Sequence, residues 1–201
     1  EEMVSYLLWY FISEYQNPEY MGFDKVFVHL VDNYFLEEEI ANASPSVQEK
    51  LRERSNKLKP LLIGESAPDL ILIDTNDRFT SFYNLETDFS LLFFWDYNCD
   101  VCDKEMEELS DFTRTTNYNI GVYAINTNED LNKWKQLIRD RKMDWLHVNG
   151  TMGVTEDYHE LYDIKGTPRL FLLDHEKKII AKHFKVAQLI SIIENQFMKS
   201  K

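Results

Sequence analysis

Cysteine, glycine and proline are scarce in this sequence, and long hydrophobic runs are absent. Its 201 residues include only two cysteines, six glycines and five prolines. This composition excludes a disulfide-rich scaffold, a collagen-like chain and a low-complexity chain. No apolar run approaches the roughly 20 residues that a membrane-spanning helix needs. The apolar fraction of 44% is nevertheless enough to build a buried core.

Basic residues are also scarce relative to acidic ones. The chain carries 22 Lys and Arg against 35 Asp and Glu, which gives a net charge of −13. The first 60 residues and the remainder are both acidic. Proteins that bind nucleic acid or an anionic membrane surface need a basic face. We therefore expect neither nucleic acid nor an anionic membrane surface as a partner.

The start of the sequence lacks the basic region that opens a secretory signal peptide. It begins with Glu1, Glu2 and Met3, and the following residues already have the character of a helix interior. We expect a trimmed chain whose natural N-terminus is not visible. Membrane association is then expected only through an N-terminal signal or anchor outside this sequence.

The hydrophobic pattern changes near Pro60 and divides the chain into two regions. Before Pro60, residues 3–15 are rich in apolar side chains, residues 20–36 follow helical spacing, and residues 46–58 form a charged amphipathic stretch. This pattern predicts three helices. After Pro60, short apolar runs alternate with amphipathic stretches. We predict a helical region over residues 1–60 and a second domain over residues 61–201.

The second region alternates predicted strands with predicted helices. This alternation is typical of an α/β domain in which helices cover both faces of a sheet. The last two strands form a hairpin, so the sheet is predicted to be mixed. Strands are predicted at residues 70–73, 90–95, 120–126, 145–148, 169–173 and 178–181, and helices at residues 102–116, 129–141, 154–162 and 187–197.

The two cysteines, Cys99 and Cys102, lie close together in the motif Cys-Asp-Val-Cys. This spacing fits a redox pair, half of a zinc site, or two inert buried thiols. Structural zinc usually takes four ligands, and none of the histidines is paired at ligand spacing. We therefore expect no metal.

Position favours the redox interpretation of the two cysteines. Cys99 follows a predicted buried strand and stands at the start of a predicted helix. The free N–H groups and the dipole of a helix N-terminus favour a thiolate, which is the nucleophilic form. Cys99 is expected to attack a disulfide of a partner, and Cys102, one turn further on, is expected to resolve the mixed disulfide.

A second motif, Gly166-Thr167-Pro168, opens another predicted buried strand. Proline cannot donate a hydrogen bond to the sheet, so its place at the start of such a strand needs a reason. A cis peptide bond in a loop that faces the dithiol would supply that reason. Alone, a Thr-Pro pair before a strand is usually just a turn.

Together these segments resemble the thioredoxin superfamily, and within it the TlpA/ResA-like (redoxin) branch of bacterial extracytoplasmic thiol–disulfide oxidoreductases. The resemblance covers about residues 61–201, and residues 1–60 are similar to the helical region that precedes such domains in some envelope proteins. It implies an α/β fold, a thioredoxin-like mixed β-sheet flanked by helices and preceded by a small all-α segment. The matching segments are residues 93–95, 99–106, 162–168, 170–174 and 64–70.

The resemblance implies roles for individual residues. Cys99 matches the attacking thiol and Cys102 the resolving thiol. Pro168 matches the cis-proline beside the dithiol, and Thr167 matches the residue whose backbone pairs with a bound substrate peptide. Trp95, at the end of the matching strand, is assigned with them to the substrate-binding residues.

Glu105 matches a carboxylate that such proteins keep near the thiols, where it can accept or donate the proton of the resolving step. The alternative is a solvated residue in the first turn of the helix. The resemblance further implies protein disulfide or dithiol substrates, a redox partner protein, no cofactor, and a location in the bacterial periplasm or cell envelope.

The motif also departs from the family pattern. The family often has tryptophan directly before the first cysteine and proline before the second, where this chain has Asn98 and Val101. Negative charge around the dithiol disfavours a thiolate, so we expect reduction of disulfides rather than their formation. The acidic residues are Asp96, Asp100, Asp103, Glu105, Glu107, Glu108 and Asp111, against Lys104.

Two other functions remain open from the sequence. A peroxiredoxin-type peroxidase places its attacking cysteine at a similar strand-to-helix junction, but needs a threonine and a proline just upstream, where this chain has Asp96, Tyr97 and Asn98. A binding module could keep the fold while its dithiol is idle. Insulin-disulfide reduction would separate these functions from an oxidoreductase.

Overall fold

The computed structural model describes residues 2–17, 20–36 and 43–199 of the chain. The chain forms two compact units, Glu1–Glu65 and Ser66–Lys201. The boundary predicted at residue 60 lies a few residues before this division. The dithiol belongs to the second unit.

The first unit is helical. Helix α1 spans Glu2–Tyr15, and α2 spans Asp24–Leu30 and continues as a π-helix over Val31–Phe35. Helix α3 spans Pro45–Leu58 and ends in a 3₁₀ turn at Lys59–Leu61. Apolar side chains at helical spacing meet in one core because each helix has one buried face. The core residues are Leu8, Ile12, Phe27, Val28, Val31, Phe35, Leu51 and Leu58.

The second unit is built on a seven-stranded sheet with the order β2-β1-β5-β4-β3-β6-β7. Strands β3, β4 and β5 run parallel, and the remaining pairings are antiparallel. The mixed sheet predicted from the sequence is therefore confirmed. The strands are β1 (Ile71–Asp74), β2 (Phe79–Ser81), β3 (Phe89–Trp95), β4 (Ile120–Asn126), β5 (Leu146–Gly153), β6 (Arg169–Leu173) and β7 (Ile179–Lys182).

Helices flank this sheet. They are α4 (Asp100–Thr115), α5 (Leu131–Arg141), α6 (Tyr158–Leu161) and α7 (Leu189–Lys199). Leu109, Trp134 and Ile193, one from each of α4, α5 and α7, share a core cluster with Phe93 and Trp95 of β3. In the described part of the chain, none of the helices is long and apolar enough to cross a membrane.

Strand β3 is the centre of the second unit. Every one of its residues is buried, which explains why the strand has a continuous apolar sequence rather than an alternating one. On the face away from the α4 core, Phe94 stacks on Tyr158 and contacts Tyr162 and Phe171. Both faces of β3 are thus packed, and the strand holds its C-terminal end, where the dithiol follows, in a fixed position.

The structure differs from the predicted elements at the edge of the sheet that β1 and β2 form. The predicted helix at residues 154–162 is confirmed only over Tyr158–Leu161, and the strand predicted at residues 145–148 continues as β5 to Gly153. A Cβ atom on Gly153 would lie 2.6 Å from a side-chain carbon of Leu72. The glycine therefore permits the close pairing of β5 with β1, and this pairing extends the strand.

Candidate active site

Cys99 lies at the junction between β3 and α4. It is the N-cap of α4, and its sulfur accepts a hydrogen bond from the Cys102 backbone N–H at 3.1 Å. Its thiol donates to the carbonyl oxygen of Thr167 at 3.8 Å. The half-buried sulfur thus lies at the positive end of the helix, where free N–H groups stabilise negative charge.

Cys102 lies one turn further along α4 and is fully buried. Both cysteines are free thiols. Burial, together with the side-chain hydrogen bond to Cys99, raises the pKa of Cys102 to about 12. Cys102 therefore remains protonated at neutral pH, and Cys99 is the accessible sulfur of the pair. This asymmetry is what an attacking thiol and a resolving thiol require.

The Thr167–Pro168 peptide bond is cis, in agreement with the conformation expected for a proline that opens a buried strand. The peptide lies directly before β6, which is the antiparallel neighbour of β3. This pairing brings the Thr167 carbonyl to the Cys99 thiol although the two residues are far apart in the sequence. The structure therefore places Cys99, Cys102, Thr167 and Pro168 at one site.

Glu105 is buried, with 8% of its surface exposed. One of its carboxylate oxygens, Oε2, accepts a hydrogen bond from the Val186 backbone N–H at 2.7 Å. The alternative of a solvated first-turn residue is therefore wrong. Since Glu105 follows Cys102 by three positions on α4, the carboxylate lies on the same buried side of the helix as the resolving thiol.

Trp95 does not reach the surface. Its side chain has no exposed area and belongs to the same core cluster as Cys102 and Met106. The prediction that Trp95 binds substrate is wrong, because a fully buried ring offers no contact surface to another protein. Its place at the end of β3 gives it a packing role against the helix that carries the thiols.

Sequence reasoning missed a set of asparagines beside the dithiol. Asn126 and Asn149 are fully buried, and Asn128 hydrogen-bonds to both Asp96 and Tyr97 in the loop before Cys99. Their positions in the sequence could have indicated this set. Asn126 ends β4, and Asn149 lies in the adjacent parallel strand β5. The carboxyl ends of parallel strands meet at one edge of a sheet, where functional side chains collect.

Basic side chains lie closer to the acidic residues around the site than the sequence alone indicates. Asp103, in the acidic first turn of α4, forms an ion pair with Arg141 of α5 at 2.8 Å. Lys133 of α5 lies 4.1 Å from the centre of the Tyr97 ring and donates to Asn98 at 3.4 Å. Helix α5 therefore supplies cations that offset part of the negative charge at the start of α4.

Within residues 2–17, 20–36 and 43–199, no group of three or more His, Cys, Asp or Glu side chains is placed to hold a metal ion. The nucleophilic side chains that meet at this site are the two free thiols. A dithiol at a helix N-terminus, opposite a cis-proline loop, is the arrangement that characterises thioredoxin-like proteins.

Comparison with known proteins agrees with this arrangement. The model of a thioredoxin-like family matches residues 88–179. A domain of a possible thiol-disulfide isomerase from Cytophaga hutchinsonii is 34% identical, with 71% of this chain and 99% of that domain covered and a TM-score of 0.63. No curated protein matches the chain.

Two solved structures from Bacteroides are also similar. A thiol:disulfide interchange protein from Bacteroides sp. is 26% identical over 66% of this chain and 88% of that one, with a TM-score of 0.55. The thioredoxin domain of a thiol-disulfide oxidoreductase from Bacteroides vulgatus is 26% identical over 66% of this chain and 96% of that domain, also with a TM-score of 0.55.

The chain belongs to the thioredoxin-like family. It is an oxidoreductase. The thiol–disulfide oxidoreductases to which it is similar are consistent with its assignment to the redoxin branch, which includes TlpA and ResA. The family resemblance and the enzyme class predicted from the sequence are thereby confirmed.

Proposed function

We propose that this protein is a thiol–disulfide oxidoreductase that uses Cys99 and Cys102 to reduce protein disulfides in the bacterial cell envelope. The observation that carries the proposal is the asymmetry of the two thiols. Cys99 is accessible at the start of α4, and Cys102 is buried with its pKa raised to about 12. The bacterial relatives named for thiol–disulfide chemistry support the reaction class.

The reaction has two exchange steps. The thiolate of Cys99 attacks one sulfur of a substrate disulfide, a mixed disulfide forms, and the first substrate thiolate leaves. The Cys102 thiolate then attacks the Cys99 sulfur, which forms the Cys99–Cys102 disulfide and releases the second substrate thiolate. The substrate disulfide gains two electrons, and the protein dithiol loses them. A redox partner protein restores the dithiol by the same exchange.

The loop that carries Thr167 and Pro168 is the proposed docking surface for substrate. Thr167 and Pro168 are half-buried beside Cys99. An extended substrate segment can pair with the backbone at Thr167 and so bring its disulfide to the attacking sulfur. The fixed position of this backbone next to the thiol supports that assignment.

Insulin reduction tests the proposed function. In the presence of dithiothreitol, the protein is expected to accelerate the precipitation of reduced insulin chains, and prior alkylation of the accessible Cys99 thiol is expected to remove the acceleration. Peroxide turnover without insulin reduction would replace the proposal by a peroxidase. Neither activity would replace it by a binding module whose dithiol is idle.

Glu105 is the proposed proton acceptor for the resolving step. Cys102 must lose its proton before it attacks, and its raised pKa makes that loss unfavourable at neutral pH. The Glu105 carboxylate is buried on the next turn of the same helix. A carboxylate in that position can take the proton directly or through one water molecule.

Replacing Glu105 by glutamine is expected to slow the resolving step by about a hundredfold, the lower end of the range for general-base catalysis. The amide oxygen can still accept the hydrogen bond of the Val186 N–H, so the fold is expected to be kept. The lifetime of the mixed disulfide at pH 7 measures the effect. The matched control is Glu108→Gln, because Glu108 is exposed on the same helix. An unchanged lifetime in Glu105→Gln would remove Glu105 from the mechanism.

A further inference from the structure

Helix α1 has two apolar faces, and the described residues cover one of them. Leu8 and Ile12 are buried in the core of the first unit. On the opposite side of the helix, the apolar residues 3, 6, 7 and 10 follow the i, i+3, i+4, i+7 spacing of a second face. These four side chains are exposed, and Tyr6 keeps 69% of its surface accessible. An apolar stripe at this spacing is typical of a helix face that packs against another structure.

The exposed face continues from α1 to the residue before α2 through contacts between aromatic rings. The ring centres of Tyr10 and Phe11 lie 5.6 Å apart, and Phe11 stacks on Tyr15 at 6.2 Å. Tyr15 in turn makes an edge contact with Phe23 at 5.7 Å. The exposed members of this continuous patch, which we call the α1 surface, are Met3, Tyr6, Leu7, Tyr10, Phe11 and Phe23.

The α1 surface has nearly the size of one side of a stable protein–protein interface. Side chains of this kind have areas of about 200 Å² each, so their exposed fractions correspond to roughly 700 Å² in total. The largest apolar patch on a typical monomer covers about 300–600 Å². Each partner in a stable complex contributes about 800 Å². The α1 surface is therefore larger than a monomer usually exposes and close to half of a standard interface.

The distribution of charge favours a second copy of this chain as the partner. Helix α1 contains two acidic residues, Glu2 and Glu14, and no basic residue. Because the whole chain has a net charge of −13, two copies repel each other, and they approach most easily where charges are few. A helix that lies on a membrane surface carries Lys and Arg on its polar face, which the sequence of α1 lacks.

We propose that two copies of this protein form a symmetric dimer through the α1 surface. In a twofold symmetric contact the same patch serves both partners, so the dimer needs no second complementary surface. Tyr6 and Tyr10 lie in the middle of the exposed stripe, where large aromatic side chains contribute most to binding. The proposal does not depend on thiol chemistry, since Cys99 and Cys102 belong to the second unit.

Sedimentation velocity of the full chain, with dithiothreitol present to exclude disulfide-linked dimers, tests the proposal. The wild-type protein is expected to be dimeric above ~10 µM, because interfaces of this size have dissociation constants in the micromolar range or below. Tyr6→Glu places a charge at the centre of the contact. It is expected to raise the dissociation constant of the dimer at least ~30-fold, which is the effect of losing one dominant interface residue.

The matched control is Phe79→Glu, because Phe79 is an exposed aromatic residue of β2 in the second unit. This variant is expected to dimerise as the wild-type protein does. Circular dichroism checks that the variants keep their helices. If Tyr6→Glu does not fold, Tyr6→Ser tests the same contact, since it removes the ring without adding a charge and is expected to weaken the dimer in the same direction.

Three outcomes would overturn the inference. A wild-type protein that remains monomeric at all concentrations up to ~100 µM would show that the α1 surface does not bind a second copy. A dimer that is equally stable in wild-type protein, Tyr6→Glu and Tyr6→Ser would place the contact elsewhere on the molecule. A monomer that binds phosphatidylcholine vesicles, and loses this binding in Tyr6→Glu, would assign the α1 surface to lipid instead.

Discussion

Replacing Cys99 by serine is expected to abolish disulfide reduction, whereas replacing Cys102 by serine is expected to leave a protein that attacks once and stays attached to its substrate. The difference follows from the positions of the thiols. Cys99 is the accessible sulfur at the N-terminus of α4, and Cys102 is buried behind it. Without Cys102, the mixed disulfide has no internal thiol to resolve it.

The measurement is mass spectrometry under non-reducing conditions after incubation with a disulfide-bonded peptide. Cys102→Ser should carry the peptide on Cys99, and Cys99→Ser should carry none. Insulin reduction should fall to the uncatalysed rate in both variants. A trapped peptide on Cys102 in the Cys99→Ser variant would reverse the assignment of the two thiols. With a bacterial envelope extract in place of the peptide, Cys102→Ser should retain the natural substrate.

The second large effect concerns His147 and the dependence of stability on pH. His147 lies in β5 opposite Ala124, with 3% of its surface exposed, and its ring stacks on Trp145. Across the described residues, neither ring nitrogen has a hydrogen-bond partner. Burial lowers the pKa of His147 to about 4. The ring is therefore neutral in the folded protein at every pH near neutrality.

The sign of the effect follows from the two pKa values. In the unfolded chain His147 takes up a proton as the pH falls through about 6.5, while in the folded protein it stays neutral until the pH approaches 4. The unfolded state therefore binds more protons in this window, and folding stability falls as the pH falls. Between pH 7.5 and pH 5 the contribution of His147 is a loss of about 2 kcal/mol.

His147→Leu removes this titration and keeps nearly the same side-chain volume. Its free energy of unfolding, relative to the wild-type protein, is expected to rise by about 2 kcal/mol more at pH 5 than at pH 7.5. Denaturant titrations followed by tryptophan fluorescence measure the difference. The control is His175→Leu, because His175 is exposed in a turn. Equal pH dependence in the wild-type protein and His147→Leu would mean that His147 is protonated, or hydrated, in the folded state.

Much of the fold could be predicted because its central strands are buried on both faces. Strands β4 and β6 begin and end where the sequence predicts, at Ile120–Asn126 and Arg169–Leu173. A short continuous apolar run is typical of a strand that is buried on both faces, so it predicts such segments well. Strand β2 could not be predicted because it has only three residues, which are exposed or half-buried. Its sequence carries no alternation that would distinguish a strand from a loop.

The dithiol and the cis-proline loop could be predicted for a different reason. Their residue types carry chemistry that few other arrangements use, and the motif spacing is short. The environment of the site could not be predicted in the same way. That Trp95 is buried, that Glu105 bonds to Val186, and that Asn128 holds Asp96 all depend on side chains that meet across separate elements. Spacing within one segment contains no information about such contacts.

The distance in sequence between the parts of this site also determines when the two thiols acquire their separate roles. Cys99 and Thr167, which meet at the dithiol, are separated by 68 residues, and β6 must pair with β3 before they approach. In the unfolded chain, the two cysteines are equivalent thiols without the contact to Thr167. The difference between an accessible Cys99 and a buried Cys102, and with it the order of attack and resolution, therefore exists only once the sheet is complete.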